Sequence, residues 1–213
     1  MPIFQLRPDD PTFPSPELAP NHGLLAVGGD LSVERLMNAY SMGIFPWFGP
    51  DDPILWWSPD PRLVLYPSKM HISRRLRRKL RQKPFRFTCD TAFEAVIHHC
   101  ASNRPEGTWI GPEMIAAYTE LFQIGYAHSI EVWQKDQLVG GIYGVALGRA
   151  FFGESMFHQV ADASKAALAE LCRVLQQRGI GLIDCQVESE HLLSLGTELI
   201  PRSQFLTELK AAL

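Results

Sequence analysis

Cysteine is scarce in this 213-residue chain: Cys89, Cys100, Cys172 and Cys185 form no C-x-x-C pair, and no His/Cys spacing suits zinc. Reduced, mostly buried thiols are therefore expected, and no metal site. The adjacent His98 and His99 fall in a helical pattern, where neighbouring side chains diverge and cannot grip one ion as an i, i+4 pair can. Long apolar runs are missing too. No segment approaches the ~18 uninterrupted apolar residues of a membrane-spanning helix. The opening Met1-Pro2-Ile3-Phe4-Gln5-Leu6-Arg7-Pro8 lacks the basic start, apolar stretch and cleavage site of a signal peptide. A soluble cytoplasmic protein with no membrane partner is the expectation. Internal repeats, low-complexity tracts and sustained heptads are also lacking, and the last of these favours a monomer.

An apolar content of 46% supports an ordinary globular core, with room for one domain and a small companion. Prolines 2, 8, 11, 14, 16 and 20 disfavour helix interiors and central strands, which predicts an extended or turning arm. A short amphipathic helix follows over 33–42, with Ser32 as N-cap and Gly43 as terminator. Aromatics and prolines then crowd 45–59; Trp56 and Trp57 read as core, whereas Trp47 follows a proline in a loop that could hold an exposed stacking surface. Pro59 and Pro61 mark a boundary near residue 62. Beyond it, periodicity predicts strands at 63–66 and 85–89, helices at 91–102 and 112–124, and a meander of strands at 127–134, 137–147 and 150–156. A long helix at 162–178, N-capped by Asp162 and ended by Gly179, leads into an apolar strand at 182–185. Helices near 189–195 and 202–212 close the chain.

The net charge of −3 hides an asymmetry. Residues 61–89 hold ten Lys or Arg and no Asp or Glu, leaving ten basic and twenty-three acidic residues elsewhere. Within that segment Ile72, Leu76 and Leu80 form one narrow apolar seam, while Arg74, Arg75, Arg77, Arg78, Lys79, Arg81 and Lys83 cover the remaining faces. A merely solvated face usually alternates sign, and seven cations repel one another, so a polyanion is the better explanation. Nucleic-acid binding of this kind acts through phosphates and weakens steeply with salt. The seam is too thin for a strongly membrane-inserting helix.

Asp184 ends an otherwise apolar strand, and period-two alternation places Gln186 on its face. A buried Asp needs hydrogen-bonding partners, so the spacing admits a structural pair as well as a catalytic one. Glu154, in Gly153-Glu154-Ser155-Met156-Phe157, is a second polar insertion into an apolar strand, open to structural pairing or to cation binding.

Several runs resemble a known family. Gly23-Leu24-Leu25-Ala26-Val27-Gly28-Gly29-Asp30-Leu31-Ser32, Gly43-Ile44-Phe45-Pro46-Trp47-Phe48 and Trp56-Trp57-Ser58-Pro59 are similar to the bacterial leucyl/phenylalanyl-tRNA–protein transferases. So are Gly107-Thr108-Trp109-Ile110, His128-Ser129-Ile130-Glu131-Val132-Trp133, Gly153 onward to Phe157, Ala163-Ser164-Lys165 and Ile183-Asp184-Cys185-Gln186. The resemblance implies an α+β chain: a small N-terminal domain, 1–62, followed by an acetyltransferase-like (GNAT) mixed-sheet domain, 63–213. It implies transfer of Leu or Phe, less readily Met, from aminoacyl-tRNA to the N-terminal Arg or Lys of proteins, marking them for degradation by the N-end rule pathway. No cofactor is implied. Residues 157–162 carry no glycines where coenzyme-A-using relatives have a pyrophosphate loop, which also points away from that donor.

By the same resemblance Asp184 polarises Gln186, whose side-chain carbonyl accepts a hydrogen bond from the attacking amine. Trp47 and Trp109 surround the 3′-terminal adenosine of the tRNA, and Glu154 holds polar atoms of the donor. Ile142, Phe151, Leu168, Leu171, Leu175 and Ile183 supply the donor side-chain pocket, and the cations of 74–83 meet the tRNA backbone. Relatives can carry Met or Phe at the positions of Ile142, Leu171 and Leu175, which leaves the preference among Leu, Phe and Met open. Glu188, Glu190 and Glu198 are candidates, by location, for reading the acceptor's cationic side chain.

Overall fold

Short apolar segments between the early prolines pair into a small sheet. The computed structural model describes residues 3–102 and 108–213, so Met1, Pro2 and the motif residue Gly107 lie outside the described residues. Strands β1 (Phe4–Leu6), β2 (Leu24–Gly28), β3 (Phe45–Pro46) and β4 (Leu55–Trp57) lie in the order β1-β2-β4-β3, with β1 parallel to β2 and the other pairs antiparallel. The arm expected at the start therefore contributes a strand: Phe4-Gln5-Leu6 is free of proline, and Pro46 sits on an edge strand, where a missing N–H is tolerated. Trp56 is fully buried and its indole donates to the Gly28 carbonyl at 2.9 Å. Helix α1 (Val33–Ser41) starts where the Ser32 hydroxyl accepts from the Arg35 N–H and ends before Gly43, whose φ of +70° turns the chain.

Alternation builds the larger sheet. Its strands are β5 (Arg62–Leu65), β6 (Arg86–Cys89), β7 (Ala127–Gln134), β8 (Gln137–Leu147), β9 (Ala150–His158), β10 (Leu182–Gln186) and β11 (Glu198–Ile200), in the order β11-β5-β10-β9-β8-β7-β6. Only β9 and β10 run parallel, joined by the crossover helix α5 (Ala163–Gln177). The remaining α-helices among the described residues are α2 (Arg74–Arg81), α3 (Phe93–Ser102), α4 (Pro112–Gln123), α6 (Glu190–Leu193) and α7 (Arg202–Ala212). Because strand side chains alternate, Val64, Tyr143, Phe152 and Leu182 pack with α1, α3, α4 and α7 on one face, while Leu65, Ile142, Phe151 and Ile183 pack with α5 on the other. A meander, a crossover helix and a parallel strand make this an α+β mixed sheet.

Two local expectations need correcting. Asp162 precedes α5 in a left-handed conformation, φ 71°, and its carboxylate meets Lys79 at 3.2 Å instead of capping the helix N–H groups. Residues 198–200, read as a connection between helices, form β11 at the edge of the larger sheet. All four cysteines are free thiols; Cys100 and Cys172 are buried, Cys89 and Cys185 half-buried. Among the described residues no helix is long and apolar enough to cross a membrane.

Candidate active site

The parallel pair β9/β10 is registered only through Leu182↔Ala150, Ile183↔Phe151 and Asp184↔Phe152. A bulge follows. Gln186 takes a left-handed φ of 66° and pairs with Leu63 where regular register would place another residue, so β10 bends away. Beyond the last pair a cavity of about 270 Å³ opens, lined by Glu154, Ser155 and Met156 of β9 and by Cys185, Gln186 and Val187. Aromatic walls from Phe45, Trp47 and Trp109 and an apolar floor from Ile142, Leu168 and Ile183 complete it. It is somewhat smaller than the roughly 300–1,000 Å³ of pockets for drug-sized ligands, the size for one compact apolar group.

Asp184 stands behind this cavity. It is fully buried and forms a bidentate ion pair with the equally buried Arg62, Nε at 2.8 Å and Nη2 at 2.7 Å. The guanidinium is sandwiched between Phe45 and Phe205, 4.7 and 4.6 Å from the ring centroids. The Asp184 carboxylate also accepts the Gln186 main-chain N–H at 2.9 Å. Asp184 therefore fixes the backbone of Gln186; the expected face-sharing of the two side chains is broken by the bulge. The side-chain amide of Gln186 turns elsewhere, its Nε2 donating to Glu154 Oε1 at 3.1 Å. That donation leaves the amide carbonyl as the atom able to accept from a ligand.

Glu154 sits at the centre of the polar groups. Tyr40 of α1 donates to its Oε1 at 2.7 Å, Tyr118 of α4 donates to its Oε2 at 2.9 Å, and the two phenol oxygens are themselves in hydrogen-bond contact. Burial pushes the Glu154 carboxyl up to about 7; donation from Tyr40 and Tyr118 opposes this, the charge of Asp184 adds to it, and donation from Gln186 opposes it. Burial, with the neighbouring Glu154 charge, pushes both phenols well above their ordinary value, so they remain donors at neutral pH.

The structure gathers Trp47, Trp109, Glu154, Gln186, Ile142, Leu168 and Ile183 around one cavity. Trp47 is 41% exposed, and the indole of Trp57 beneath it donates to its carbonyl at 2.6 Å. Phe151, Leu171 and Leu175 do not line this cavity; they are core on the α5 face, around a separate void of about 20 Å³. Glu188 and Glu190 are exposed on either side of the cavity residue Ser189, whereas Glu198 pairs with Lys69 at 2.9 Å. Sequence reasoning missed Arg62, Tyr40 and Tyr118. Arg62 had a signal: it opens an apolar strand, as Asp184 interrupts another, and lone opposite charges in two apolar strands call for each other.

The basic helix α2 buries Leu76 and leaves Arg74, Arg75, Arg77, Arg78, Arg81 and, just beyond it, Lys83 exposed. Lys79 departs from the expected phosphate role. It is half-buried over the Phe85 ring at 5.4 Å and bonds the Ala161 carbonyl and Asp162. With Arg62 also internal, the cationic surplus presented to solvent is smaller than the residue count implies. Among the described residues no group of three or more His, Cys, Asp or Glu is arranged to hold a metal ion.

The family model described as leucyl/phenylalanyl-tRNA protein transferase matches residues 64–210, and that for the N-terminal domain of the same proteins matches residues 29–60. A leucyl/phenylalanyl-tRNA–protein transferase of Anaeromyxobacter sp. (strain K) is 55% identical over 216 residues, 100% of this chain and 92% of the relative. One from Legionella pneumophila (strain Corby) is 54% identical over 204 residues, 95% of this chain and 91% of the relative. Among solved structures, a GCN5-related N-acetyltransferase from Kribbella flavida aligns with a TM-score of 0.39 and 11% identity, over 78% of this chain and 59% of that one.

Proposed function

Because the chain belongs to the leucyl/phenylalanyl-tRNA protein transferase family, we propose that it takes Leu or Phe, and Met less readily, from aminoacyl-tRNA and joins it to the N-terminal Arg or Lys of proteins. Membership makes it an aminoacyltransferase that moves its group from tRNA to a protein. The product would be marked for degradation by the N-end rule pathway, in the cytoplasm, by a monomeric enzyme needing no cofactor. Residues 1–62 would form the small domain and 63–213 the transfer domain.

The observation that carries this proposal is the clamped amide of Gln186 beside an apolar cavity of about 270 Å³. An aminoacyl ester is already activated, so the enzyme has only to position a neutral amine against the carbonyl and manage one proton. Free α-amines have a pKa of ~7.7–8.0, so roughly a tenth to a fifth are neutral at pH 7. Gln186 offers its amide carbonyl to one amine hydrogen, which aims the nitrogen lone pair. Asp184, neutralised by Arg62, supports Gln186 through its main chain. Ile142, Leu168 and Ile183 receive the donor side chain, Trp47 and Trp109 flank the 3′ adenosine, Glu154 faces the donor, and the exposed arginines of α2 meet phosphates. Glu188, Glu190 and Glu198 are the candidates for reading the acceptor's cationic side chain, Glu188 and Glu190 lying exposed beside the cavity residue Ser189.

The test is incubation with labelled Leu-tRNA or Phe-tRNA and a protein with an N-terminal Arg or Lys. Label transfer that vanishes when that residue is replaced by Gly is expected. Binding of tRNA without transfer at any pH would overturn the proposal.

A further inference from the structure

We propose that the Glu154 carboxylate, seated between the Tyr40 and Tyr118 hydroxyls, is the proton acceptor of the site, and that the two tyrosines are positioning residues that tune it. The inference rests on the aminoacyl-transfer chemistry proposed above. In that reaction the amine nitrogen bonds to the ester carbonyl carbon while the bond from that carbon to the ribose oxygen breaks. Glu154 takes the proton shed by the nitrogen and returns it to the departing ribose oxygen, so the enzyme ends as it began.

Counting hydrogens supports the assignment. The three groups make three oxygen–oxygen contacts: Tyr40 to Glu154 Oε1, Tyr118 to Glu154 Oε2, and Tyr40 to Tyr118. With Glu154 ionised, only two phenolic hydrogens exist for these contacts, and both point at the carboxylate. A proton arriving on Oε2 supplies the third. The Tyr118 hydroxyl then turns to Tyr40, Tyr40 continues to donate to Oε1, and every contact holds one hydrogen. Gln186 donates to Oε1 in both states. The triad is thus a ready-made slot for one proton at the cavity wall.

Asp184 offers no comparable slot. It is fully buried, absent from the cavity lining, and its oxygens already accept from Arg62 twice and from the Gln186 N–H. Glu154 lines the cavity, and the titratable and charged groups around it are Tyr40 of α1, Tyr118 of α4, Asp184 of β10 with Arg62 of β5 behind it, and Tyr143 of β8 against the Tyr118 ring. A carboxyl held near 7 by burial is matched to an amine that titrates just above it, the condition under which general-base transfer works best. Simply holding donor atoms would appear in KM alone; proton transfer appears in kcat and its pH dependence.

Single-turnover transfer is measured between pH 6 and 8 in the wild type and in Glu154→Gln, Tyr40→Phe and Tyr118→Phe. Glu154→Gln should lower kcat on the order of a hundredfold, the smaller end of what general acid–base groups contribute, with KM for aminoacyl-tRNA little changed, and should erase the inflection near neutrality. Each Phe variant removes a hydrogen bond that favours the ionised carboxyl, so its inflection should move to higher pH. The limb from the acceptor's own amine is common to all four proteins. Unmoved inflections in the Phe variants, or a Glu154→Gln defect confined to KM, would overturn the proposal. If a Phe variant fails to fold, carbon-13 NMR of the wild-type glutamate carboxyls decides: a titration near 7 that disappears in Glu154→Gln supports it, and its absence overturns it. A wild type that transfers no label at any pH would count against the function proposed above, while the carboxyl titration would still report on Glu154.

Discussion

Breaking the Arg62–Asp184 pair from one side should be far more damaging than removing it whole. Both side chains are fully buried, and the guanidinium makes two bonds to the carboxylate between two aromatic rings. Arg62→Met leaves a buried carboxylate without its counter-charge, and Asp184→Leu leaves a buried guanidinium. Removing one partner of such a pair costs about 3–5 kcal/mol, because the survivor has lost its water and gained nothing in return. At ~2–4 °C per kcal/mol for a chain of this size, the melting temperature should fall by roughly 6–20 °C in each single variant. The double variant Arg62→Met/Asp184→Leu buries apolar groups of similar volume and should recover most of that loss. Urea unfolding followed by circular dichroism, with midpoint and slope both fitted, measures all four proteins. Single variants within about 1 kcal/mol of wild type, or a double variant as unstable as the sum of the singles, would refute the reasoning. Transfer rates of Asp184 variants then have to be expressed per folded molecule, since this residue's contacts in the free protein are all internal.

Other consequences are independent of that pair. Replacing Arg74, Arg75 and Arg78 with Gln should weaken tRNA binding uniformly across sequences and lower the slope of log affinity against log salt by about one for each phosphate no longer neutralised; Lys79→Ala should instead lower thermal stability, since its charge is engaged by Asp162 and the Ala161 carbonyl. Trp47→Ala should raise KM for aminoacyl-tRNA by roughly 5- to 150-fold, the equivalent of ~1–3 kcal/mol of base stacking, with melting temperature little affected because the ring is well exposed. Gly144→Ala should destabilise by about 1–3 kcal/mol or more, measured by urea unfolding, because a Cβ there would lie 2.1 Å from the Phe152 carbonyl oxygen in the adjacent strand.

What could be read in advance divides along a physical line. Helices α1, α4 and α5 and strands β7 to β9 each run long enough for apolar periodicity to repeat, so their positions follow from local pattern. Strands β1, β3, β4 and β11 span two or three residues, too short for any period, and exist because neighbouring strands pair with them. Gln186 shows the same limit within a single strand. Period two puts it on the face of Asp184, but a left-handed φ of 66° re-aims its side chain to Glu154, and only the Asp184 bond to its N–H reveals why the bulge holds.

Charge obeys a similar division. That Asp184 and Glu154 interrupt apolar strands is local information, and it marks them as groups needing partners. The partners are remote: Arg62 lies 122 positions from Asp184, and Tyr40 lies 114 and Tyr118 36 from Glu154. In sequence Arg62 is one of ten cations in a basic segment, and Tyr40 is one apolar position of an amphipathic helix. Their burial converts the two carboxylates into different chemical objects. Arg62 neutralises Asp184 outright, whereas two tyrosines and an amide, all uncharged, leave Glu154 with its burial only partly offset. The carboxylate that faces the cavity is therefore the one burial pushes up toward neutral pH, and the one behind it is tied down by Arg62 and the Gln186 N–H.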